Sequence, residues 1–354
     1  MLTTWFPTRS SPGAGSFIAR DATALAQDHD VRVIHLVPPE LDDGVRKSEH
    51  GGVPVTSIPV DVRTPRGLIS ATRHVPRLLH GADLVHTMAA PALLPFLIRR
   101  PAIPWVHTEH WSGVANLLGS RRARLASPLT RRAFGGPDRV VAVSGRLADA
   151  LRALRTGPVD VVGNIIDEID PASLDVDPVF RPEAVKVLGV GTVNAHKGWR
   201  LAVGAVQALQ DDGVDAQLVW FGHGPESAEL DTLADGRTIR ALGQVPAAQV
   251  RAAMAEADVF VLPTKSETFS LVTIEALASA LPVVATGHGA HTDFLVDEAG
   301  LVVDRDVVSI AEGIRTARGK DPARVREHGR MLADRFSEKE FRVHYEQIYR
   351  EATR

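Results

Sequence analysis

Two glutamates stand eight positions apart in a largely apolar stretch, KSETFSLVTIEALASALPVVAT, at residues 265–286. The apolar run just before it predicts a buried strand, and residues 270–280 predict a helix. Glu267 then lies on the loop after the strand, and Glu275 lies just over one turn into the helix. N–H groups at a helix start suit a phosphate, and carboxylates accept hydrogen bonds from hydroxyls. The stretch predicts a sugar-nucleotide site, the alternative being two solvated acids.

The elements that would position these glutamates are short strands alternating with longer amphipathic segments. Several strand-like runs have apolar residues at consecutive positions, which suits strands of a parallel sheet covered on both faces. Repeated alternation predicts an α/β fold of doubly wound sheets. The predicted strands are 31–37, 83–88, 104–109, 139–144, 159–164, 185–191, 216–222, 258–263 and 281–286, and the predicted helices are 16–27, 144–154, 197–210, 225–235, 246–256 and 270–280. We expect the Ser270 hydroxyl to cap the last of these helices.

The length of 354 residues predicts two domains. An acidic, proline-bearing segment at 167–183 separates one β-α series from the next. We predict an N-terminal domain over 1–166 and a C-terminal domain over 167–336, with a cleft between them and ligands beyond the carboxyl ends of the strands. Residues 337–354 predict an amphipathic helix that packs back on the N-terminal domain. Its apolar side carries Phe341, Tyr345, Ile348 and Tyr349.

Composition narrows the function classes. The chain has no cysteine, which excludes disulfides, thiolate metal sites and cysteine nucleophiles and fits a reducing cytosol. No apolar run reaches the ~18 residues of a membrane span, and MLTTWFPTRSSPG lacks the layout of a signal peptide. We therefore expect a cytoplasmic protein. Three D-x-D triplets, at 28–30, 175–177 and 304–306, follow no convincing strand end, so no metal site is predicted.

Charge is divided unevenly along the chain. Residues 1–165 carry 20 Lys and Arg against 13 Asp and Glu, a net +7, whereas residues 166–354 carry 20 against 30, a net −10. The basic half contains two arginine-rich stretches without acids, 62–82 and 119–137. The second is amphipathic, which suits peripheral contact with an anionic membrane. The alternatives are an arginine-rich solvated face and a site for an anionic acceptor. Nucleic-acid binding is not predicted, because aromatic residues do not interleave the arginines.

Seven motifs occur in order along the chain: SPGAGSFIARDATALA, VHTEH, VVAVSGRLADAL, VVGNIID, GVGTVNAHKG, WFGHGPESAEL and ETFSLVTIEALASALPVVAT. As an ordered set they resemble glycosyltransferase family 4, whose members are retaining enzymes of the GT-B fold with two Rossmann-like domains. The resemblance implies transfer of a sugar from a nucleoside-diphosphate sugar, most often a UDP-sugar, to an acceptor hydroxyl. It implies no metal and no other cofactor. The acceptor is left unknown, because acceptor contacts lie on variable loops.

The resemblance also implies roles for individual residues of the C-terminal domain. Glu275 would bind the ribose hydroxyls, and Glu267 would contact the transferred sugar near the reacting carbon. Lys197 would neutralise the diphosphate, although an ordinary surface lysine is the alternative. The implied backbone contacts are those of Phe269, Ser270 and Leu271 to the diphosphate or sugar and those from Gly243 to Val245 to the base.

In the N-terminal domain the resemblance points to the glycine loop and to one histidine. Gly13 and Gly15 would allow close approach of the backbone to a ligand, with a plain turn as the alternative, and Gly15 would face the diphosphate and the acceptor. His110 matches the family histidine near the sugar, although a lone histidine is more often structural.

Three residues depart from the family pattern. Thr192 stands where many members have an arginine, which leaves one fewer positive charge at the diphosphate. Ser270 and Ala280 each replace a glycine. Two other functions therefore stay open beside glycosyl transfer: a sugar-nucleotide epimerase on the same fold, and a non-catalytic protein that binds nucleotide sugars.

Overall fold

The computed structural model describes residues 1–110, 123–166 and 177–354. The chain divides into two compact units: unit 1 comprises 1–165 with 338–354, and unit 2 comprises 166–337. The described part of each unit is built on its own, mainly parallel sheet with helices packed on it. This confirms the predicted α/β class.

Unit 1 contains, within its described residues, a sheet of eight strands. The strands are β1 (Leu2–Thr3), β2 (Val33–Val37), β3 (Lys47–His50), β4 (Val53–Pro59), β5 (Val85–Met88), β6 (Trp105–Glu109), β7 (Arg139–Ala142) and β8 (Val159–Val161). Their order is β3-β4-β2-β1-β5-β6-β7-β8, parallel throughout except for the antiparallel edge pair β3 and β4. The helices are Ser16–Leu25, Pro65–Leu78, Ala123–Gly135, Gly145–Arg152 and Glu338–Ala352. Every residue of β2, β5 and β6 is buried, as expected for central strands covered on both faces.

Unit 2 contains a parallel sheet of six strands in the part that the structure describes. The strands are β9 (Val185–Val190), β10 (Ala216–Phe221), β11 (Ile239–Ala241), β12 (Val259–Leu262), β14 (Val283–Thr286) and β16 (Gly300–Val303), in the order β11-β10-β9-β12-β14-β16. A separate short pair joins β13 (Ser266–Glu267) to β15 (His288–Gly289). The helices are Trp199–Asp211, Ser227–Leu233, Ala247–Glu256, Leu271–Ala278, Val307–Arg318 and Pro322–Arg335. Because the six strands are parallel, the loops after β9, β12, β14 and β16 leave from one edge of the sheet.

The core of unit 2 follows directly from the apolar periodicity. In the helix Trp199–Asp211, the residues Trp199, Ala202, Val206 and Leu209 recur at spacings of three and four and are buried, as an amphipathic helix on a sheet requires. The strand β10 is buried along its whole length. Its one polar residue, Gln217, accepts a hydrogen bond at Oε1 from the Arg181 N–H at 2.7 Å, whereas its Nε2 has no partner among the described residues.

The C-terminal helix Glu338–Ala352 belongs to unit 1. Phe341, Tyr345 and Ile348 are buried in a cluster that includes Leu25 and Val106. Both of its tyrosines are also anchored by hydrogen bonds: Tyr345 Oη lies 2.7 Å from Thr108 Oγ1, and Tyr349 Oη lies 2.8 Å from His86 Nδ1. The apolar face that the sequence predicts is therefore the packed face of the helix.

Most predicted elements are present, with ends shifted by one to three residues, and all nine predicted strands are confirmed. The strands that sequence reasoning missed are short or polar: β3 is exposed at every position, and β4 contains two prolines. The helix Pro322–Arg335 was missed because only three of its fourteen residues are buried. Among the described residues, no helix combines the length and the apolar character that crossing a membrane requires.

Candidate functional site

The segments that follow β9 and β12 bring Lys197 and Glu267 together, and Glu267 lies in the short strand β13 rather than in the predicted loop. Lys197 Nζ donates a hydrogen bond to Glu267 Oε1 at 2.6 Å, across 70 positions of sequence. Both side chains are largely sheltered, with 24% and 12% of their surface exposed. An ammonium group carries three N–H donors, so Lys197 retains donors for an anion while it contacts Glu267. The structure thus unites the predicted phosphate-neutralising cation and the predicted sugar-contacting acid.

The two loops are also joined through their backbones. The Lys265 N–H donates to the His196 carbonyl at 2.9 Å, and His196 Nε2 donates to the Ser266 carbonyl at 2.8 Å. Within its own loop, the Lys197 N–H donates to Asn194 Oδ1 at 2.9 Å. These bonds fix the backbone on both sides of the ion pair, so its geometry does not depend on the two side chains alone.

Close packing explains why a glycine, Gly198, follows Lys197. Gly198 precedes the helix Trp199–Asp211 with φ of +74°, in the left-handed region. A Cβ at this position would lie 2.0 Å from the Pro263 carbonyl oxygen, a distance that no side chain tolerates. Gly198 therefore lets the loop that carries Lys197 approach the end of β12.

The helix Leu271–Ala278 begins differently from the prediction. Ser270 makes no side-chain cap, so the predicted capping is wrong. Ser270 has φ of +74°, whereas a capping residue needs an extended conformation, and its Oγ lies 2.9 Å from Thr273 Oγ1 instead. Ala280, the other departure from a family glycine, also has a positive φ, of +60°. Both positions thus keep a backbone that favours glycine, at a cost of roughly 1–2 kcal/mol for a residue with a side chain.

The side chain of Phe269 anchors the start of this helix. It is 3% exposed and packs edge-to-face on Phe294 and Phe336, with ring centroids 5.2 and 5.1 Å away. The first N–H groups of any helix have no acceptor within the helix and carry partial positive charge. With its ring buried, Phe269 holds these N–H groups next to the loop of Glu267, and the contacts predicted for Phe269, Ser270 and Leu271 are backbone contacts.

Glu275 lies in the second turn of the same helix. It is half-buried, as is Leu271 four positions earlier, while Thr273, Ile274, Ala276 and Leu277 are buried. Residues four apart share a face of a helix, so Glu275 lies on the face that includes the first residue of the helix and not on the core face. Its role with the ribose stays a prediction.

The segment predicted to meet the base follows β11. Gly243 has φ of +64°, and its carbonyl accepts a hydrogen bond from the Gly222 N–H at 2.7 Å. The Gly243 carbonyl is therefore engaged with the neighbouring turn, and Val245 is half-buried beside it in sequence. Contact of Gly243 and Val245 with a base stays a prediction.

In the glycine loop of unit 1, packing against the chain's own backbone requires a glycine at one position, Gly15. Gly13 is exposed, whereas Gly15 is buried with φ of +66°. A Cβ on Gly15 would lie 2.5 Å from the carbonyl carbon and oxygen of Trp5. Close packing on the chain itself thus explains Gly15, and the predicted approach of Gly13 and Gly15 to a ligand stays a prediction.

His110 lies in a buried cluster of unit 1 with an acid that sequence reasoning missed. The side chains of His110 and Asp21 are 4% and 2% exposed, and His110 Nε2 lies 4.0 Å from Asp21 Oδ2. The His110 ring also packs on Phe17, with centroids 4.7 Å apart. Asp21 sits among the apolar positions Ile18, Ala22 and Leu25 of its helix, and an acid within such a stripe is the signal that would have revealed it.

Burial shifts both groups of this cluster toward neutrality. Desolvation raises the pKa of Asp21 to about 8, against a smaller opposite effect of Arg20. Desolvation, with a smaller contribution from His107, lowers the pKa of His110 to about 3. The Asp21 carboxyl oxygens have no hydrogen-bond partner in the described part of the chain. The pair is therefore a neutral, desolvated pair near pH 7, and His110 acting on a sugar stays a prediction.

Replacing Asp21 with asparagine is expected to remove a loss of stability at alkaline pH. Between pH 3.8 and about 8 the folded state binds one proton more at Asp21 than the unfolded state does, so stability falls by about 1.4 kcal/mol per pH unit. His110 has the opposite effect from about pH 3 to 6.5, because there the unfolded state binds the extra proton. Burial also lowers the pKa of the Met1 amino terminus to about 5, which raises stability with pH up to about pH 8. The effect of Asp21 is therefore measured as the difference between the wild type and a variant that lacks this carboxyl group.

The free energy of unfolding of the wild type, relative to that of Asp21→Asn, should therefore drop by about 2 kcal/mol from pH 6.5 to pH 8. Urea unfolding at several pH values in this range measures the difference. Asp149→Asn, at an exposed acid on another helix of unit 1, is the control and should follow the wild type. Equal slopes for the wild type and Asp21→Asn would contradict the shifted pKa of Asp21.

The D-x-D triplets have structural partners. Asp28 binds Arg342, and Asp306 caps the helix Val307–Arg318 by accepting from the Ser309 N–H at 2.8 Å. Residues 175 and 176 lie outside the described residues. In the ranges that the structure describes, no three His, Asp or Glu side chains group as metal ligands do. Independence from a metal stays a prediction.

The basic stretches are described only in part. The helix Pro65–Leu78 lies in the first, and its Ile69 is 50% exposed. In the second, residues 119–122 lie outside the described residues, Leu129 is 59% exposed and Arg132 donates to the Leu97 carbonyl at 2.7 Å. Each arginine-rich stretch thus includes one exposed large apolar side chain, Ile69 in the first and Leu129 in the second. Membrane contact through 119–137 stays a prediction.

Comparison with known families matches both halves of the chain. A family described as Glycosyltransferase Family 4 matches residues 13–168, and one described as Glycosyl transferases group 1 matches residues 184–318. The two matched segments together include every predicted site residue, and the motifs around Lys197, Glu267 and Glu275 fall in the second.

Two mycobacterial relatives carry names that refer to GDP-mannose. The GDP-mannose-dependent alpha-mannosyltransferase of Mycolicibacterium smegmatis is 31% identical over 265 residues, which cover 71% of this chain and 67% of that protein. The GDP-mannose-dependent alpha-(1-6)-phosphatidylinositol dimannoside mannosyltransferase of Mycobacterium tuberculosis is 31% identical over 157 residues, which cover 44% of this chain. This match spans only 41% of the length of the second relative.

The fold also matches solved structures. The structure of Anabaena Alr3699/HepE in complex with UDP and glucose superposes with a TM-score of 0.73, at 17% identity, over 99% of both chains. This likeness shows the fold, and it confirms the predicted GT-B architecture of two Rossmann-like units.

Proposed function

The chain belongs to glycosyltransferase family 4, and from this premise we propose that it transfers a sugar from a nucleoside-diphosphate sugar to an acceptor hydroxyl, with retention at the sugar carbon. The observation that carries the proposal is the contact of Lys197 Nζ with Glu267 Oε1 at 2.6 Å. This pair lies at the carboxyl edge of the unit 2 sheet, next to the start of the helix Leu271–Ala278. A cation, an acid and free helix N–H groups together match a diphosphate joined to a sugar.

The proposed mechanism is electrostatic. As the bond between the sugar and the diphosphate breaks, Lys197 and the N–H groups at Ser270 and Leu271 stabilise the charge that grows on the leaving phosphate. The sugar becomes oxocarbenium-like, and Glu267 holds it in place. The acceptor hydroxyl attacks from the face that the diphosphate leaves, and its proton passes to the departing phosphate oxygen. Glu275 binds the ribose throughout.

The comparisons support more than one nucleotide for the donor and suggest one class of acceptor. The two mycobacterial relatives are named for GDP-mannose, whereas the Anabaena structure contains UDP and glucose. We keep the UDP-sugar that the family resemblance favours and place GDP-mannose beside it. One relative is named for a phosphatidylinositol dimannoside, which supports a lipid-linked acceptor among the candidates.

A thermal-shift panel of UDP-, GDP- and ADP-sugars tests the proposal. A ligand present at 100 times its Kd should stabilise the folded state by about 2.7 kcal/mol, so the matching nucleotide sugar should raise Tm clearly while glucose alone should not. Release of nucleoside diphosphate from that donor then measures turnover. Absence of a shift with every nucleotide sugar would contradict the proposal.

The same incubation separates the two alternative functions. An epimerase would convert the donor into an isomer without an acceptor, and the product would be seen by chromatography. A non-catalytic binder would give the thermal shift but no release of nucleoside diphosphate. The Lys197–Glu267 pair favours the transferase, because it supplies both a cation for a leaving group and an acid for the sugar.

A further inference from the structure

A side chain outside the seven ordered motifs joins the two loops of the site. Arg305 lies in the short segment between β16 and the helix Val307–Arg318 and is half-buried. Its Nε donates to the Pro263 carbonyl at 3.0 Å, and its Nη2 donates to the Ala195 carbonyl at 3.1 Å. Pro263 opens the loop that carries Glu267, and Ala195 lies two residues before Lys197. One guanidinium thus binds both loops at once.

The position of this guanidinium is set on several sides. A Cβ on Gly198 would lie 2.9 Å from Arg305 Nη2, so the guanidinium occupies space that only a glycine leaves open. The next residue, Asp306, is fixed by accepting from the Ser309 N–H and hydroxyl, both at 2.8 Å. A planar guanidinium offers donors in a rigid fork, whereas an ammonium is a point donor on a flexible stem. Arginine suits two carbonyls on separate loops for this reason.

We propose that Arg305 is a positioning residue of the transfer reaction, which holds the loops after β9 and β12 at the separation that brings Lys197 to Glu267. Its kinetic consequence rests on the proposed function. The His196 and Lys265 bonds join the loops next to the ion pair. The guanidinium of Arg305 joins them at the carbonyls of Ala195 and Pro263. Loss of the fork leaves Lys197 and Glu267 chemically intact but displaced, and small displacements of this kind are costly in rate.

Kinetics of Arg305→Ala and Arg305→Lys test the proposal. We expect kcat to fall on the order of 10- to 100-fold in Arg305→Ala, with a smaller change in the KM for the donor, and to be partly restored in Arg305→Lys. Arg315→Ala is the matched control. Arg315 lies on the helix Val307–Arg318, which follows Arg305, and it also binds two partners, Asp212 and Glu312. Its kcat should equal that of the wild type. All assays are run well below the Tm of each variant.

A double-mutant cycle separates positioning from a general structural role. If Arg305 acts through Lys197, removing Arg305 from a Lys197→Met variant should change kcat far less than removing it from the wild type. Additive effects, or an Arg305→Ala kcat equal to that of Arg315→Ala, would overturn the proposal. If Arg305→Ala does not fold, Arg305→Lys takes its place in the cycle.

A crystal structure of the variant gives a readout that needs no activity. In Arg305→Ala we expect the distance from Lys197 Nζ to Glu267 Oε1 to exceed hydrogen-bond range, and an unchanged 2.6 Å contact would refute the positioning role. A wild type that turns over no nucleotide sugar would instead refute the proposed function, and the distance would still decide the role of Arg305.

Discussion

Replacing Lys197 with methionine is expected to lower kcat/KM for the sugar nucleotide by about 10³-fold, equivalent to about 4 kcal/mol of transition-state stabilisation. Methionine keeps an unbranched apolar stem of similar length but removes the charge that we propose to stabilise the leaving diphosphate. The effect should be large here because Thr192 stands where many family members place a second cation. Steady-state kinetics with the donor identified by the thermal-shift panel measure it.

The same unit offers a matched control for this substitution. Lys186, on β9, also pairs with an acid, Glu256, at 3.5 Å, and the two side chains are 19% and 20% exposed. Lys186→Met removes a comparably sheltered ion pair away from the proposed site, so it should alter Tm but leave kcat/KM within a few-fold of the wild type. A Lys197→Met variant as active as Lys186→Met would rule out charge stabilisation by Lys197.

The fold was predictable where burial follows a simple period. Consecutive apolar residues marked strands such as β10, and spacings of three and four marked the helix Trp199–Asp211. Prediction failed where tertiary context outweighs local preference. The exposed strand β3 is a strand because it pairs with β4, and nothing in KSEH itself favours that state.

The site was predictable residue by residue but not as an arrangement. The motifs pointed to Lys197 and Glu267 separately, and their contact needs the register of two loops that the sequence does not contain. Arg305 escaped notice because its function lies in two backbone carbonyls, of Pro263 and Ala195, which any residue type provides. The cap predicted at Ser270 was wrong because a serine adopted the left-handed backbone of a family glycine.

Replacing Glu275 with alanine is expected to change mainly the KM for the donor, and replacing Glu267 with alanine is expected to change mainly kcat. Glu275→Ala should raise the KM for the donor by about 10-fold or more with little change in kcat, because the ribose is bound equally in the ground state and the transition state. Glu267→Ala should lower kcat by about 10²-fold, because its contact lies near the carbon where charge develops. Glu312→Ala, at a surface ion pair with Arg315, is the control and should match the wild type.

The ion pair sharpens this distinction for Glu267. In the free protein Glu267 holds Lys197 at 2.6 Å, and a diphosphate must share that ammonium group with it. Removing Glu267 leaves Lys197 free to bind the diphosphate alone, so the KM for the donor should stay level or fall while kcat falls. Slower turnover with an unchanged KM is the pattern of a group that acts only in the transition state, and a fall in KM as well would reflect the release of Lys197 from Glu267. A raised KM with unchanged kcat for Glu267→Ala, and the reverse for Glu275→Ala, would exchange the two roles.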